Sequence, residues 1–511
     1  VGVRHEQGAG FMAIGSAYAT GEPAVCIVGA GPGATNMVTP AAEAYLDSLP
    51  VLVIAGGIRS KVRGKGALHE IDQLSIFKPV TKLSKQLTEP GELIREVRDA
   101  VTACRSDRPA PVFLDIPFDV LSSRVTHEHQ PPLRRPGPKA PGRIDPNWLT
   151  MTLRSLEQAE RPLMIIGGGV NASQSSNEVS QLAESLGIPV ASTISAKGAF
   201  PESSSLSVGQ LWDEVAMEAA GKADVVLALG CRFSERSTAG WRLRIGGSLI
   251  QVDIDANELG RNYPPALAVP LDIREFLTAL LKEVRPGRHA VRAGWLESLA
   301  RARTIRDAKY EVAANSADVP VKPQRIIREL GKAISDETMI VTETGHAFWW
   351  STLTLRIDRP RSFLGPSGNS TLGFGLPAAL GAKCARPDRQ VVCLVGDGGF
   401  LFTLQELLTA VEEKLPVVTI IIDDGGYSAI REYQREGYGG RFIGVDFAVR
   451  PDYVKLAESM GASGLRVERP DDIRQTVRDA LRSSRPTVIH IPISRNESAL
   501  PRFLTETYRR D

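Results

Sequence analysis

The fold is decided by the stretch VVCLVGDGGFLFTLQELLTAVEEKLPVVTIIIDDGGYSAI at residues 391–430. It holds two runs of Val, Ile and Leu that each end in an acidic, glycine-rich turn, and a helix-length segment separates them. This order predicts a parallel strand pair, because parallel strands need a crossover connection that is usually a helix. Asp397 and Asp424 follow the two strands, so we expect both carboxylates at one edge of a parallel sheet.

The two acidic turns favour a site for a metal ion and a diphosphate. Mg²⁺ prefers hard oxygen ligands, and phosphate needs backbone N–H groups that approach closely, which Gly398, Gly399 and Gly426 allow. We therefore predict that Asp397 and Asp424 bind Mg²⁺ that bridges a diphosphate. Two ordinary Asx turns are the alternative.

Similar strand patterns recur along the chain. Short apolar runs that end in Gly or Asp begin at residues 24, 51, 112, 163, 225, 250 and 488, with amphipathic segments between most of them. This alternation predicts an α/β fold with parallel, doubly wound sheets. Two stretches rich in proline or charge divide the chain into domains at 1–125, 146–285 and 321–511, with linkers at 126–145 and 286–320.

The composition excludes several classes of protein. The 511 residues carry a net charge of +2, so we expect no nucleic-acid partner. The longest apolar runs are far shorter than a membrane span, so we expect no membrane partner either. The five cysteines show no CxxC spacing, which argues against a disulfide framework or structural zinc and favours the reducing cytoplasm.

The first and third domains share two segments. Residues 92–117 and 472–492 have VRDA, RP and a closing IP in common, and residues 8–33 match the pattern of 373–399. Convergence of ordinary α/β patterns is one explanation, and duplication of a domain is the other. Duplicated domains that face each other would form a cleft at the ends of their strands.

The 391–430 stretch resembles the thiamine diphosphate (ThDP) dependent family of acetolactate synthases, 2-oxoacid decarboxylases and carboligases. The resemblance covers nearly the whole chain and implies a pyrimidine-binding domain (1–125), a Rossmann-like middle domain and a diphosphate-binding domain (321–511). It implies metal ligation by Asp397, Asp424 and the carbonyl of Gly426. The family usually has two asparagines where this chain has Asp423 and Asp424, and the extra carboxylate predicts tighter metal dependence.

The resemblance also implies roles near the N-terminus. The chain begins close to a helix, so we expect a truncated N-terminus and a first domain without its first strand and helix. In RHEQGAGFMAIGSAYA (4–19), Glu6 is implied as the catalytic carboxylate that hydrogen-bonds the aminopyrimidine ring and so promotes deprotonation of the thiazolium C2. A solvated N-terminal turn is the alternative. Pro32 and Asn36, in GAGPGATN, are implied as cofactor contacts.

Further cofactor contacts are implied in the third domain and share its glycine-rich turns. They are Gly345, His346, Ala347, Ser370, Leu372, Gly398, Gly399 and Tyr427. Leu372 stands where the family has a bulky apolar residue that bends the cofactor. A helix-capping or solvated histidine is the alternative for His346.

The substrate and flavin determinants depart from the family. Arg232 matches an arginine that contacts flavin or a second oxoacid, with a domain-interface salt bridge as its alternative, but 207–224 lacks the Gly-Met-His-Gly loop typical of flavin-binding members, so FAD stays open. Gly57 replaces the usual Gln and Tyr433 the usual Trp. His69 is a candidate catalytic proton shuttle, with a surface histidine as the alternative.

These patterns predict an acetolactate synthase-like carboligase. It would decarboxylate a 2-oxoacid such as pyruvate and add the enamine to a second carbonyl. A ThDP-dependent lyase or decarboxylase acting on 2-hydroxyacyl or 2-oxoacid substrates is the first alternative, and a non-catalytic nucleotide-binding protein is the second. In the family each active site lies between two subunits, so we expect a homodimer or homotetramer.

Overall fold

The computed structural model describes residues 1–124, 144–285, 292–495, 497–498 and 501. Every paired strand in these ranges is parallel to its neighbours, and the strands form three sheets. The predicted fold class is confirmed. The predicted linker 126–145 lies almost wholly outside the described residues. Among the described residues, no helix combines the length and apolar character needed to cross a membrane.

The first sheet has four strands in the order β1-β2-β4-β3. Its buried strands are rich in Val, Ile and Leu, as expected for strands covered on both faces. The elements of this domain are α1 Glu6–Thr20, β1 Ala24–Val28, α2 Pro32–Thr35, α3 Val38–Leu46, β2 Val51–Gly57, α4 Gln73–Phe77, β3 Leu83–Gln86, α5 Leu93–Arg105, β4 Val112–Pro117 and α6 Phe118–Leu121.

The middle sheet has six strands in the order β10-β9-β8-β5-β6-β7. Its elements are α7 Pro146–Gln158, β5 Pro162–Ile166, α8 Gly168–Ala172, α9 Ser176–Leu186, β6 Val190–Ser192, β7 Ser207–Gln210, α10 Glu214–Lys222, β8 Val225–Leu229, β9 Ser248–Asp253, β10 Leu267–Pro270 and α11 Ile273–Glu283. The second predicted linker, 286–320, contains a long helix, α12 Ala293–Ala314. Trp295 of this helix packs into the core of the middle domain.

The third sheet has the order β12-β11-β13-β14-β16-β15. Its elements are α13 Pro323–Ala333, β11 Met339–Thr342, α14 His346–Thr354, β12 Phe363–Leu364, α15 Gly375–Ala385, β13 Val391–Gly396, α16 Asp397–Thr403, α17 Glu406–Glu412, β14 Val418–Asp423, α18 Ser428–Gly437, α19 Tyr453–Ser459, β15 Ser463–Arg466, α20 Ile473–Arg482 and β16 Thr487–Pro492. Four of its strands, in the order β13-β14-β16-β15, repeat the order β1-β2-β4-β3 of the first sheet. This shared order supports the duplication.

The duplicated domains pack through their equivalent helices, α1 and α15. A Cβ on Gly15 would lie 1.9 Å from the carbonyl oxygen of Ala378, and a Cβ on Gly381 would lie 1.9 Å from that of Met12. Each glycine thus meets the residue three positions before the other, so the two helices cross with near two-fold symmetry. Only glycine allows backbones to approach this closely. One hydrophobic core therefore runs through both domains.

A buried ion pair joins the middle domain to the third domain. Lys197 is 2% exposed and lies 2.7 Å from Glu202. Lys197 also donates to the carbonyl of Thr352 in α14, and Glu202 accepts from the N–H of Ile357. The middle domain is thereby fixed against α14, the helix that begins at His346.

Candidate active site

The two predicted metal ligands lie at the carboxyl ends of neighbouring strands. Asp397 follows β13 and Asp424 follows β14, and these strands pair in register. Asp397 is 1% exposed, and its Oδ2 has no hydrogen-bond partner among the described residues. Burial, with the charges of Asp424 and Asp423, raises the pKa of Asp397 to about 8. A cation would satisfy this unpaired oxygen and offset the repulsion.

The turns beside these carboxylates leave open space. A Cβ on Gly345 or on Gly396 would meet no atom within 4 Å, and Gly345 has a φ of +102°. A Cβ on Gly398 would instead lie 2.7 Å from the ring of Tyr427, and one on Gly426 would lie 2.1 Å from a backbone carbonyl oxygen. The chain therefore packs tightly at Gly398 and Gly426 and leaves space at Gly345 and Gly396.

His346 connects this metal site to α18. Its Nε2 lies 3.0 Å from Glu432, and its Nδ1 lies 3.7 Å from Asp424. Burial opposes protonation of the ring, but the hydrogen bonds and charges of the two carboxylates outweigh it and raise the pKa of His346 to about 9. His346 is thus held between two carboxylates and is not a solvated cap, and Ala347 follows it in the buried first turn of α14.

The protein itself supplies counter-charge for the unusual Asp423. Nε2 of His490 lies 2.8 Å from Asp423, and Arg450 lies 3.5 Å from it. Arg466 donates to Nδ1 of His490, which leaves the proton on Nε2 to face the carboxylate. Burial disfavours the charged form, but the contacts with His490 hold the pKa of Asp423 below its usual range. The metal therefore does not have to offset this charge alone.

Side chains alone do not complete a metal site. Within the ranges that the structure describes, no group of three or more His, Cys, Asp or Glu side chains is arranged to hold a metal ion. A site built from Asp397, Asp424, a backbone carbonyl and diphosphate oxygens needs only two carboxylates, as Mg²⁺ bound to phosphates commonly does.

Glu6 lies in the first turn of α1 and is half-buried. Its Oε2 accepts a hydrogen bond of 2.9 Å from Asn36, which lowers the pKa of Glu6. Gly33 leaves room beside the carboxylate, and Pro32 is exposed at the start of α2. The structure therefore brings Glu6, Pro32 and Asn36 together on one face of the first domain.

His69 reaches the same face through an unusual backbone. It is exposed and has a φ of +66°, a conformation that non-glycine residues rarely adopt. A Cβ on Gly31 would lie 2.9 Å from the Cβ of His69, so position 31 has to be glycine for His69 to lie there. Strain of this kind accumulates at functional sites.

Ser370 and Leu372 lie between β12 and α15, and both are half-buried. Ser370 has a φ of +62°, and its hydroxyl lies 2.7 Å from that of Thr344, the residue before Gly345. A guanidinium that sequence analysis missed, that of Arg236, also donates to Ser370. The side chain of Arg236 crosses from the middle domain and lies over the rings of Phe348 and Trp349.

A second missed residue is Glu343, which is 1% exposed. It accepts from the N–H groups of Gly375 and Thr344, and a Cβ on Gly399 would lie 2.5 Å from its side chain. Burial raises its pKa to about 7, although these N–H groups oppose the shift. Glu343 thus contacts three segments of the site, at Thr344, Gly375 and Gly399. A charged residue directly after the apolar run MIVT was the available signal.

Arg232 lines a cavity of about 1020 Å³ at the carboxyl edge of the middle sheet. Gly168, Gly230 and Asp253 also line it, and Arg232 donates to the carbonyl of Leu46 in α3. Tyr433 is not among the lining residues. It packs with the core between the middle and third domains, where it interacts electrostatically with Arg236.

The comparison with protein families follows the order of the three sheets. The N-terminal TPP binding domain of thiamine pyrophosphate enzymes matches residues 1–76, the central domain matches 149–280, and the C-terminal TPP binding domain matches 343–491. The chain belongs to the thiamine pyrophosphate enzyme family. It is a ThDP-dependent enzyme, as the sequence predicted.

Several similar proteins indicate which members of the family this chain resembles. A probable acetolactate synthase large subunit of Methanocaldococcus jannaschii is 36% identical over 98% of this chain and 86% of its own length. An acetolactate synthase of Mycobacterium bovis is 34% identical over 94% of this chain and 79% of its own. The chloroplastic acetolactate synthase 2 of Nicotiana tabacum is 32% identical over 98% and 76%. An acetolactate synthase-like function is therefore supported.

Proposed function

We propose that this enzyme is a carboligase that decarboxylates a 2-oxoacid such as pyruvate and joins the remaining two-carbon unit to a second carbonyl compound. The observation that carries the cofactor assignment is the buried Asp397, whose unpaired oxygen faces two further carboxylates and calls for a cation. Asp424 and the Gly426 carbonyl would complete the Mg²⁺ ligands, and Gly345, His346 and Ala347 would hold the diphosphate.

Bound ThDP would supply the nucleophilic carbon and the electron sink that decarboxylation of a 2-oxoacid needs. Glu6 would hydrogen-bond the aminopyrimidine, with Asn36 orienting its carboxylate, and Leu372 would support the ring. His69, held on the same face, would donate a proton to the carbonyl oxygen of the acceptor as the new carbon–carbon bond forms.

Arg236 favours ligation over simple decarboxylation. A 2-oxoacid acceptor keeps its carboxylate throughout the reaction, so its site needs a fixed cation. The guanidinium of Arg236 is buried beside Ser370 and interacts with Tyr433. Tyr433 would then limit the size of the acceptor. Because Arg236 also hydrogen-bonds the backbone at Pro366 and Ser367, we expect Arg236→Met to slow the release of CO₂ as well, but to raise KM for the acceptor by a larger factor.

Gly57 stands at a predicted substrate determinant, where acetolactate synthases usually have Gln. A Cβ on Gly57 would lie 2.3 Å from Oδ1 of Asp115, so the carboxylate occupies the direction that a side chain at this position would take. Gln73 and Gln86 hydrogen-bond the same carboxylate. This network supports a modified set of acceptors within the same reaction.

We further propose an active homodimer or homotetramer. Glu6 and His69 lie on an open face of the first domain, and the metal turns lie on the third, so a second copy would bring the two halves together. A monomer that turns over substrate would contradict this arrangement.

The experiment is product analysis with the purified chain, ThDP, Mg²⁺ and pyruvate as the only substrate. Acetolactate together with CO₂ is the expected result. Acetaldehyde alone would instead identify a decarboxylase. Binding of ThDP without turnover of pyruvate or larger 2-oxoacids would favour a lyase for 2-hydroxyacyl substrates or a protein that has lost catalysis.

For the middle domain we propose a nucleotide-containing cofactor, with FAD as the specific candidate. The cavity of about 1020 Å³ is large enough for a dinucleotide, and Gly168 and Gly230 line it at the carboxyl ends of the middle strands. Trp212, from the segment that lacks the family's flavin loop, is buried against Trp349 and is not in the cavity lining. The absorption spectrum of the purified protein, and of the compound released on heating, decides between flavin and another nucleotide.

We propose that the protein is cytoplasmic, because its cysteine pattern fits a reducing compartment. The five cysteines are free thiols, four of them buried. Fractionation of the native cell followed by immunodetection of the chain tests it, and recovery outside the cytoplasm would contradict it.

A further inference from the structure

The residues that would face the cofactor's pyrimidine, Ser370 and Leu372, belong to a short connection that we call the 366–372 loop. It joins β12 to α15 and contains no regular structure. Several of its backbone N–H groups cannot bond within the loop, and Ser370 has a φ of +62°. Such a conformation persists only where the surroundings fix it.

A buried carboxylate of the first domain, that of Glu43, fixes the loop. Glu43 lies in α3 and is 0% exposed. Its Oε1 accepts from the N–H groups of Gly368 and Asn369, at 3.2 and 3.1 Å. Its Oε2 accepts from the N–H of Thr371 at 3.3 Å and from the hydroxyl of Thr371. One carboxylate thus accepts from three backbone N–H groups, two before and one after Ser370.

The contact between α3 and the loop is close and continues one turn further. A Cβ on Gly368 would lie 2.4 Å from the Cβ of Leu46, so the loop lies directly on the helix. Asp47 accepts from the hydroxyl and the N–H of Ser367. Burial and the charge of Glu43 raise the pKa of Asp47 well above its usual range. Glu43 and Asp47, at the C-terminal end of α3, therefore both hold the loop through accepted hydrogen bonds.

The opposite side of the loop is held by a cation from the middle domain. Arg236 donates to the carbonyls of Pro366 and Ser367 and to the hydroxyl of Ser370. The N–H groups of the loop therefore face an anion, and its carbonyls face a cation. Charge-assisted hydrogen bonds of this kind are about twice as strong as neutral ones.

We propose that Glu43 is a positioning residue for the cofactor: it holds the 366–372 loop so that Ser370 and Leu372 meet the pyrimidine of ThDP. This inference rests on the proposed function. It concerns the pyrimidine end alone, because the diphosphate end depends on Asp397, Asp424 and the turn at Gly345. Replacement of Glu43 should therefore weaken the binding of ThDP. It should leave the binding of inorganic diphosphate unchanged.

The test is isothermal titration calorimetry of the full chain with two probes, ThDP and inorganic diphosphate, each with Mg²⁺. Glu43→Gln keeps the shape but places an amide NH₂ against the donors of Thr371. We expect it to weaken ThDP by about 10- to 100-fold, since a hydrogen bond to a charged group is lost and each tenfold corresponds to about 1.4 kcal/mol. Diphosphate should bind within about twofold of wild type.

Two further variants keep the test decisive. Thr371→Val removes one hydrogen-bond donor and leaves the Glu43 carboxylate. It should therefore weaken ThDP binding only a few-fold, less than Glu43→Gln does. Glu329→Gln is the matched control, because Glu329 is equally buried but pairs with Arg474 and Lys332 away from the loop. It should leave both affinities unchanged.

Equal ThDP affinity in wild type and Glu43→Gln would overturn the inference, and so would equal weakening of both probes, which indicates general disruption. If the wild-type chain itself binds no ThDP, the proposed function fails together with this inference. The two failures are therefore distinguishable.

Discussion

Replacing Asp397 by asparagine should stabilise the cofactor-free protein and remove its response to cofactor. In the wild type, Oδ2 of Asp397 is buried without a partner and faces the carboxylates of Asp423 and Asp424. Asparagine has the same shape, but its NH₂ group can donate to either neighbour. Where the pH ionises Asp397, the variant therefore exchanges a repulsive contact for a hydrogen bond. At lower pH the protonated Asp397 already donates to Asp423, and the gain is smaller.

The magnitude follows from the unpaired oxygen. Leaving a buried polar atom unsatisfied costs about 1–3 kcal/mol, and 1 kcal/mol shifts the melting temperature of a domain of ordinary size by about 2–4 °C. Asp397→Asn should thus melt about 2–12 °C higher than wild type in EDTA. With Mg²⁺ and ThDP at about 1,000 times Kd, the wild type gains about 4.1 kcal/mol and the variant gains almost nothing, so the order of the melting temperatures reverses.

Differential scanning calorimetry of both proteins, with and without ligands, measures this reversal. The pH dependence gives a second check. The pKa of Asp397 is raised from 3.8 to about 8, so the metal-free wild type loses stability as the pH rises through this interval. The difference in melting temperature between Asp397→Asn and the wild type in EDTA should be largest near pH 8 and should shrink toward pH 5. A variant that melts lower than wild type in EDTA, or that gains as much from the ligands, would refute the reasoning.

The domain contacts give the other predictions. Gly15→Leu should cost about 3 kcal/mol or more in chemical denaturation, because its Cβ would overlap the carbonyl of Ala378, whereas Gly294→Ala, in open space, should change stability by less than about 1 kcal/mol. Equal effects would contradict the close helix crossing. Lys197→Met should cost about 3–5 kcal/mol by leaving Glu202 buried and unpaired, and adding Glu202→Leu should recover part of the loss. A double variant no more stable than Lys197→Met would contradict the buried ion pair.

Much of the architecture could be predicted because the buried strands are short apolar runs with sharp ends. The strands that begin at Val391 and Val418 were clear from their composition, and the duplication followed from repeated segments. The strands that were missed are mostly short, partly exposed or at sheet edges. Leu83–Gln86, with the sequence LSKQ, has no apolar run, and Phe363–Leu364 has only two residues. Their pairing depends on neighbours far along the chain.

Some residues of the candidate site could also be predicted from the sequence, and others could not. Asp397 and Asp424 could be predicted because a local strand–turn pattern places each of them. Glu43 and Arg236 could not, because their partners at 366–371 lie more than 100 residues away and no local spacing records the contact. The one sequence signal for Glu43 was a charged residue on the otherwise apolar face of VTPAAEAYL.

In the proposed dimer, Glu6 of one copy and Asp397 of the other form one active site. Mixing purified Glu6→Gln and Asp397→Ala variants, each inactive alone, and letting their subunits exchange tests this directly. In a mixed dimer one site receives both changes and the other neither. The account predicts recovery of about one quarter of wild-type acetolactate production, because half of the random dimers are mixed and each has one intact site. No recovery after proven subunit exchange would contradict it.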